Sequence, residues 1–149
     1  MKKINKYTIY AIFRITNFIN LEIVKSELEI KKSDLIDIYE NFQKRPEKGV
    51  EILRTPAEVY YNYKNGLGGD CDDYTTIISY IAHKLKIKFR YVFVLKNNKA
   101  FHIYPELFIK NKWVSYDIWN INYDKNIYEK VKIFPAIFGF NDGNIKIYL

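Results

Sequence analysis

Cysteine is all but absent from this chain: its 149 residues hold one, Cys71. A single thiol excludes an internal disulfide framework and a cysteine-rich zinc site, leaving it as an apolar filler or as a reagent. Histidine is nearly as scarce, with His83 and His102 alone, so any step that needs an imidazole has two candidates. Six glycines and four prolines form no low-complexity linker, and no internal repeat is present, so residues 1–149 read as one domain. Long hydrophobic runs are missing too. Lys6, Arg14 and Asn17 interrupt the apolar stretch after Met1-Lys2-Lys3, no small-residue cleavage site follows, and no uncharged run approaches the ~20 residues of a membrane span. The sequence therefore predicts a soluble, unprocessed protein with no membrane partner, and one thiol without disulfides is compatible with a reducing cytoplasm and tolerated in a virus particle.

What the chain does hold is core-forming material, with 48% hydrophobic residues, 14 Tyr and 10 Phe. That is enough for one core without disulfides or metals. Lys and Arg number 24 against 17 Asp and Glu, a net charge of +7. The excess is lysine scattered through Ile-, Asn- and Tyr-rich sequence of the kind AT-rich coding produces, with no arginine cluster or basic helical stripe. No specific nucleic-acid partner is expected.

Residues Tyr7 to Ile23 fit two periods. Tyr7, Ile9, Ala11, Phe13 and Ile15 alternate as in a strand, while Tyr10, Phe13/Arg14, Asn17 and Leu21 share one side of a helix. Ser33-Asp34 reads as the N-cap of a helix carrying Leu35, Ile38, Tyr39 and Phe42, which ends before Arg45-Pro46. A loop with a short extended piece, Val50 to Leu53, precedes Thr55-Pro56, which opens a helix through Tyr63 that Asn65-Gly66 stops. Tyr74, Ile77, Ile78, Ile81, Ala82 and Leu85 then form a wide helical stripe after Cys71. Three strands follow, Phe89 to Leu95, Ala100 to Ile109 and Trp113 to Trp119, joined as two antiparallel hairpins. A less regular stretch runs to Phe134, and Asn141 to Asn144 turns the chain into a last strand with Ile145, Ile147 and Leu149 on one face.

The run Gly66-Leu67-Gly68-Gly69-Asp70-Cys71-Asp72-Asp73 sets the thiol at a helix start, where unpaired N–H groups and the helix dipole favour a thiolate. A nucleophilic cysteine also needs a base and a group that orients the base. His83 follows Cys71 on the same helix, about 120° around it and on the order of 18 Å along it, too far to serve; it reads as a solvated helix position. His102 and Asp117 fall on paired strands. A two-residue turn about Lys110-Asn111 pairs His102 with Trp119 and Asp117 with Tyr104, making His102 and Asp117 diagonal neighbours on one face, whereas a turn centred on a single residue would separate them.

Gly69-Asp70-Cys71-Asp72-Asp73 with its following helix, Phe101-His102-Ile103-Tyr104-Pro105-Glu106, and Lys112-Trp113-Val114-Ser115-Tyr116-Asp117 together resemble the Cys, His and Asp motifs of the transglutaminase-like superfamily. The resemblance is strongest from Thr55 to Trp119, with residues 1–32 as an accessory element. It implies an α+β fold of the transglutaminase-like and papain-like cysteine proteinase type, in which a Cys-bearing helix packs on an antiparallel sheet bearing His and Asp. It further implies Cys71 as nucleophile, His102 as base and Asp117 as orienter of the imidazole. The Gly-Asp-Cys-Asp-Asp form is similar to that of small bacterial and phage members. Two positions depart from the pattern: Ile118-Trp119 follows the Asp where a proline or small residue is common, and the side chain assisting the oxyanion is unassigned, with Tyr60 and Tyr61 as candidates.

The activity expected is cysteine-dependent acyl transfer on an amide, as a protease, amidase, deamidase or cross-linking enzyme, with a protein or peptide substrate, no cofactor and no metal. The alternative is a non-catalytic binding or structural module on the same fold, for instance in a phage particle. Asp70, Asp72 and Asp73 oppose a thiolate by charge, yet suit the first turn of a helix.

Overall fold

The computed structural model describes residues 4–46, 52–135 and, as backbone, 146–148. Among them, helices α1 (Lys6–Lys25), α2 (Asp34–Asn41), α3 (Pro56–Lys64) and α4 (Cys71–Lys84) precede strands β1 (Phe89–Lys96), β2 (Lys99–Ile109), β3 (Lys112–Ser115), β4 (Tyr128–Phe134) and β5 (Lys146–Tyr148). The strands form one antiparallel sheet in the order β3-β2-β1-β4-β5. This is an α+β fold with the helices segregated in sequence ahead of the sheet.

The centre of the molecule is α4. Tyr74, Ile77, Ile78, Tyr80, Ile81 and Ala82 have no exposed surface, and the polar Thr75, Thr76 and Ser79 are buried with them. A helix apolar nearly all round must be covered on several sides. Here α1, α2 and α3 cover it on some sides while β1 and β2 cover it on another. The threonines lie at no great cost, since Thr76 donates to the Asp72 carbonyl (2.8 Å) and Thr75 reaches the Ile103 carbonyl of β2 (3.4 Å).

Residues 7–23, which fit two periods in sequence, are helical throughout. Asn5 caps the start by accepting from the Tyr7 N–H (2.8 Å), and Ile12, Ile15, Ile19 and Ile23 enter the common core. Burial against α4 thus selects the helical period over the alternating one. Polar ties fix its position: the Thr8 hydroxyl donates to the Asn98 carbonyl in the β1–β2 turn, and Asn20 accepts from the Tyr91 hydroxyl (2.7 Å).

The helix at Ser33-Asp34 forms, but Ser33 is itself in the helical region and its side chain caps nothing. The Asp34 carboxylate takes the Lys31 N–H instead (2.7 Å). Thr55 and Glu58 make a reciprocal capping box at α3. Of the extended piece Val50 to Leu53, Ile52 and Leu53 are described and belong to no strand, while 50–51 lie outside the described residues. Both hairpins turn through pairs of left-handed residues, Asn97-Asn98 and Lys110-Asn111, as two-residue turns matched to strand twist require. The second hairpin has the register read from the sequence: Glu106 faces Ser115, Leu107 faces Val114 and Phe108 faces Trp113.

Two expectations need correction. The third strand ends at Ser115, not Trp119, because Asp117 draws the Trp119 N–H to its own side chain (3.0 Å) in a local turn that competes with the ladder. The stretch to Phe134 is more regular than expected, since Tyr128–Phe134 is a strand paired to β1. The backbone of β5 confirms a last strand at Ile147, whereas the Asn141–Asn144 turn, Ile145 and Leu149 lie outside the described residues.

The glycine run is a tether. Gly68 has φ +67°, and its Cα lies so close to the Gln43 carbonyl that a Cβ would overlap the oxygen. Gly69 donates to that carbonyl (3.0 Å) and accepts from the Arg45 N–H (2.7 Å), so the approach to α4 is stitched to the end of α2. Gly68→Ala, which adds both a steric overlap and a disfavoured φ, should lower stability by about 2 kcal/mol or more. Urea unfolding reads this directly, and an unchanged midpoint would show that the tether is not tight.

Candidate active site

Cys71 is the first residue of α4, and the turn before it is closed by a second capping box. Asp70 accepts from the Asp73 N–H (3.1 Å) while Asp73 accepts from the Asp70 N–H (3.1 Å). Asp73 is buried and its carboxylate meets Arg54 at 2.9 Å. Asp73 is thus a structural group, holding the helix start and bonded to a cation from the loop before α3. This bears out its expected place in the first turn of a helix, with the partner Arg54 unforeseen.

His102 lies in β2 opposite Val94, and its Nε2 is 3.0 Å from Asp117 Oδ1. Both side chains are largely buried, at 4% and 9% exposure. The sequence register brings these two together even though Asp117 lies two residues past the end of β3, because Tyr116 continues the pairing by donating to the Pro105 carbonyl (3.0 Å). Asp117 is then almost fully engaged: beyond His102 and the Trp119 N–H, its Oδ2 accepts from the Tyr123 hydroxyl at 2.8 Å. Burial alone would raise its pKa. The hydrogen bond and charge of His102, with the Trp119 and Tyr123 donors, outweigh that and hold the carboxyl below its usual value.

Three aromatic rings confine the imidazole. Trp119 lies 5.4 Å from it, Tyr104 5.9 Å, and Tyr123 stacks nearly parallel at 6.3 Å. Tyr123 also stacks on Tyr104, and the ammonium of Lys130 sits 4.7 Å from the Tyr123 ring centre. Tyr123 was not legible as a site residue from sequence, since it follows the irregular segment after Asp117 and belongs to no motif.

Cys71 and His102 line one cleft of about 400 Å³, together with Asp70, Asp72, Ile103 and Trp119 among others. Trp119 forms a wall of this cleft, with its ring edge-on to Tyr74 of α4 at 5.8 Å. The cleft does not contain the oxyanion candidates. Tyr60 points to Asp34 of α2 (3.4 Å) and Tyr61 is 66% exposed. Neither lines the cavity, so both assignments are withdrawn; α3 turns that face toward α2 and solvent. The Cys71 backbone N–H stands in the first turn of α4, where a helix leaves its N–H groups without intrahelical partners.

The resting thiol differs from expectation. Burial pushes its pKa up, the charges of Asp72 and Asp70 push the same way, and hydrogen bonds from the Ile103 and Asp72 backbone recover only part. The helix terminus does not by itself make a thiolate here, because the sulfur is desolvated among carboxylates. His83 is partly buried rather than solvated, and burial lowers its pKa. Among the described residues no group of His, Cys, Asp and Glu is arranged to hold a metal ion, and no helix is long and apolar enough to cross a membrane.

Three measurements follow from these electrostatics. Asp72→Asn removes one like charge beside the sulfur and should speed iodoacetamide labelling of Cys71 at pH near 8 by several-fold, about that expected of a shift under one pKa unit. Tyr123→Phe deletes one donor to Asp117 and should raise the carboxyl pKa, visible by carbon-13 NMR of the side chain. The folded-state pKa of Asp117 is depressed, so its ionised form stabilises the fold above the unfolded value and that contribution is lost as pH falls through the folded value. Asp117→Asn should accordingly flatten the acid limb of the stability profile.

No curated protein and no solved structure matches the chain. A family model does: the one described as the transglutaminase-like superfamily matches residues 8–118, a span running from α1 through the cleft to Ile118. With most of the chain matched and a cysteine-bearing helix set on an antiparallel sheet, the protein belongs to the transglutaminase-like superfamily.

Proposed function

We propose that this protein catalyses cysteine-dependent acyl transfer on an amide bond, with Cys71 as nucleophile, His102 as its base and Asp117 as the orienter of the imidazole. The observation that carries the reading is the 3.0 Å bond from His102 to a saturated Asp117, beside a cleft that the same histidine shares with Cys71. With Nε2 engaged by Asp117, Nδ1 is the ring nitrogen left to take the thiol proton. In this scheme sulfur attacks the carbonyl as His102 takes its proton, so a half-buried thiol of raised pKa need not ionise beforehand. The Cys71 N–H steadies the oxyanion, His102 returns the proton to the departing amine, and the C–N bond breaks to leave a thioester on Cys71. Water then completes a hydrolysis, as in a protease, amidase or deamidase, or a lysine amine completes a cross-link. Ionised Asp117 stabilises the imidazolium formed midway.

A second reading has one observation in its favour. The raised thiol pKa suits an inert cysteine, as in a binding or structural module of a phage particle built on this fold. The two readings part on one experiment, a peptide and amide library with water or a lysine-containing peptide as acceptor. Amide cleavage or amine incorporation should appear, fall by about 10³-fold or more in Cys71→Ala and by about 10²-fold in His102→Ala. If wild type and Cys71→Ala are indistinguishable, and iodoacetamide labelling of Cys71 is indifferent to His102→Ala, the module reading stands instead.

A further inference from the structure

The outer face of α1 is unusual. Along its 20 residues the positions Tyr7, Tyr10, Arg14, Asn17, Leu21 and Val24 are all exposed, and they recur at alternating steps of three and four, the spacing of a coiled-coil seam. The four apolar members are 72%, 71%, 59% and 60% exposed. Phe13 and Phe18 flank the stripe and are only partly buried. The core is fed from other positions, Ile12, Ile15, Ile19 and Ile23, so among the described residues the seam is left exposed. Large apolar side chains exposed in pairs at both ends of one helix face, with Arg14 and Asn17 between them, mark an interaction surface.

The seam is complementary to itself in one orientation. If two copies of α1 cross antiparallel about a two-fold axis near Ile15-Thr16, Tyr7 meets Val24, Tyr10 meets Leu21, and Arg14 meets Asn17, each contact occurring twice. Aromatic rings cover aliphatic side chains at both ends, and the guanidinium finds an amide carbonyl at the centre. A parallel pair would set Arg14 against Arg14. Two helices of about 30 Å in contact along their length bury on the order of 1,000 Å², the lower edge for a specific association.

We propose that α1 is a self-association seam through which two copies of this chain form an antiparallel, two-fold dimer of modest affinity. The partner sits on the side of α1 away from its core-facing isoleucines, so Ile15 keeps its place in the wall of the cleft. The proposal is independent of any catalytic role for Cys71.

Sedimentation equilibrium on the full chain from about 1 μM to about 1 mM should show a reversible dimer, dissociating in the micromolar range. Asn17 decides the register. Asn17→Asp sets a carboxylate against each partner Arg14 and should tighten the dimer by about tenfold over two exposed ion pairs, while Asn17→Arg should weaken it comparably. Leu21→Glu should abolish it, with circular dichroism confirming that the exposed substitution leaves the fold intact. A monomer at every concentration overturns the proposal, and so does a dimer that Asn17→Asp weakens or leaves unchanged. A monomer whose α1 binds anionic lipid vesicles, lost in Leu21→Glu, would overturn it in favour of a membrane-surface role.

Discussion

The cleft depends on where the first turn of α4 is held. That turn begins a helix with almost no exposed side-chain surface, so it cannot shift without moving the core. Its start is pinned three times: by the reciprocal Asp70–Asp73 box, by Arg54 on buried Asp73, and by Gly68 and Gly69 lying on the Gln43 to Arg45 backbone. Each of these is a short-range polar or steric device. Together they deliver one sulfur to the side of β2, where the Ile103 backbone meets it.

The other half of the cleft is held by aromatic packing on a short hairpin. β3 pairs over four residues only, and the chain then bends at Asp117 to carry Trp119 and Tyr123 back over His102. Asp117 acts as the hub of this bend. It stops the strand by bonding the Trp119 N–H, fixes the imidazole with the same oxygen, and holds Tyr123 with the other. A carboxylate with that many donors stays ionised despite burial. An Asp–His pair of this kind presents the remaining ring nitrogen in a defined direction, since rings on several sides restrict rotation about the side-chain bonds.

Charge divides the cleft between its two walls. On the α4 wall, desolvation and carboxylates favour the protonated thiol; on the β2 wall, the Asp117 carboxylate lies 3.0 Å from the imidazole. Proton transfer from sulfur to nitrogen would therefore exchange a stable thiol for an anion among anions, offset by an imidazolium beside Asp117. In the proposed acyl transfer, an amide carbonyl entering the cleft and expelling water would change that balance, because the developing negative charge would move from sulfur to an oxygen near the helix N-terminus.

Much of this was legible in sequence because it is local. Capping residues before an apolar stripe mark α3 and α4, and Lys110-Asn111 offers one turn that relates His102 to Asp117, which the left-handed pair in the structure selects over the other turn centres. The Cys, His and Asp motifs carried the family likeness. Other features depended on contacts between segments distant in the chain. Residues 7–23 carry two periods, and only burial on α4 chooses the helix. Tyr60 and Tyr61 fit the oxyanion role by position in sequence, but the packing of α3 turns one to Asp34 and the other to solvent. Tyr123 belongs to no pattern until the bend at Asp117 folds it back onto the imidazole. The state of the thiol is the clearest division. The sequence alone determined that the cysteine begins a helix, since that rests on local turn chemistry and periodicity. Only the tertiary structure decided that the half-buried sulfur stands beside carboxylates with its pKa pushed up, because desolvation and the distances between charges are set by packing.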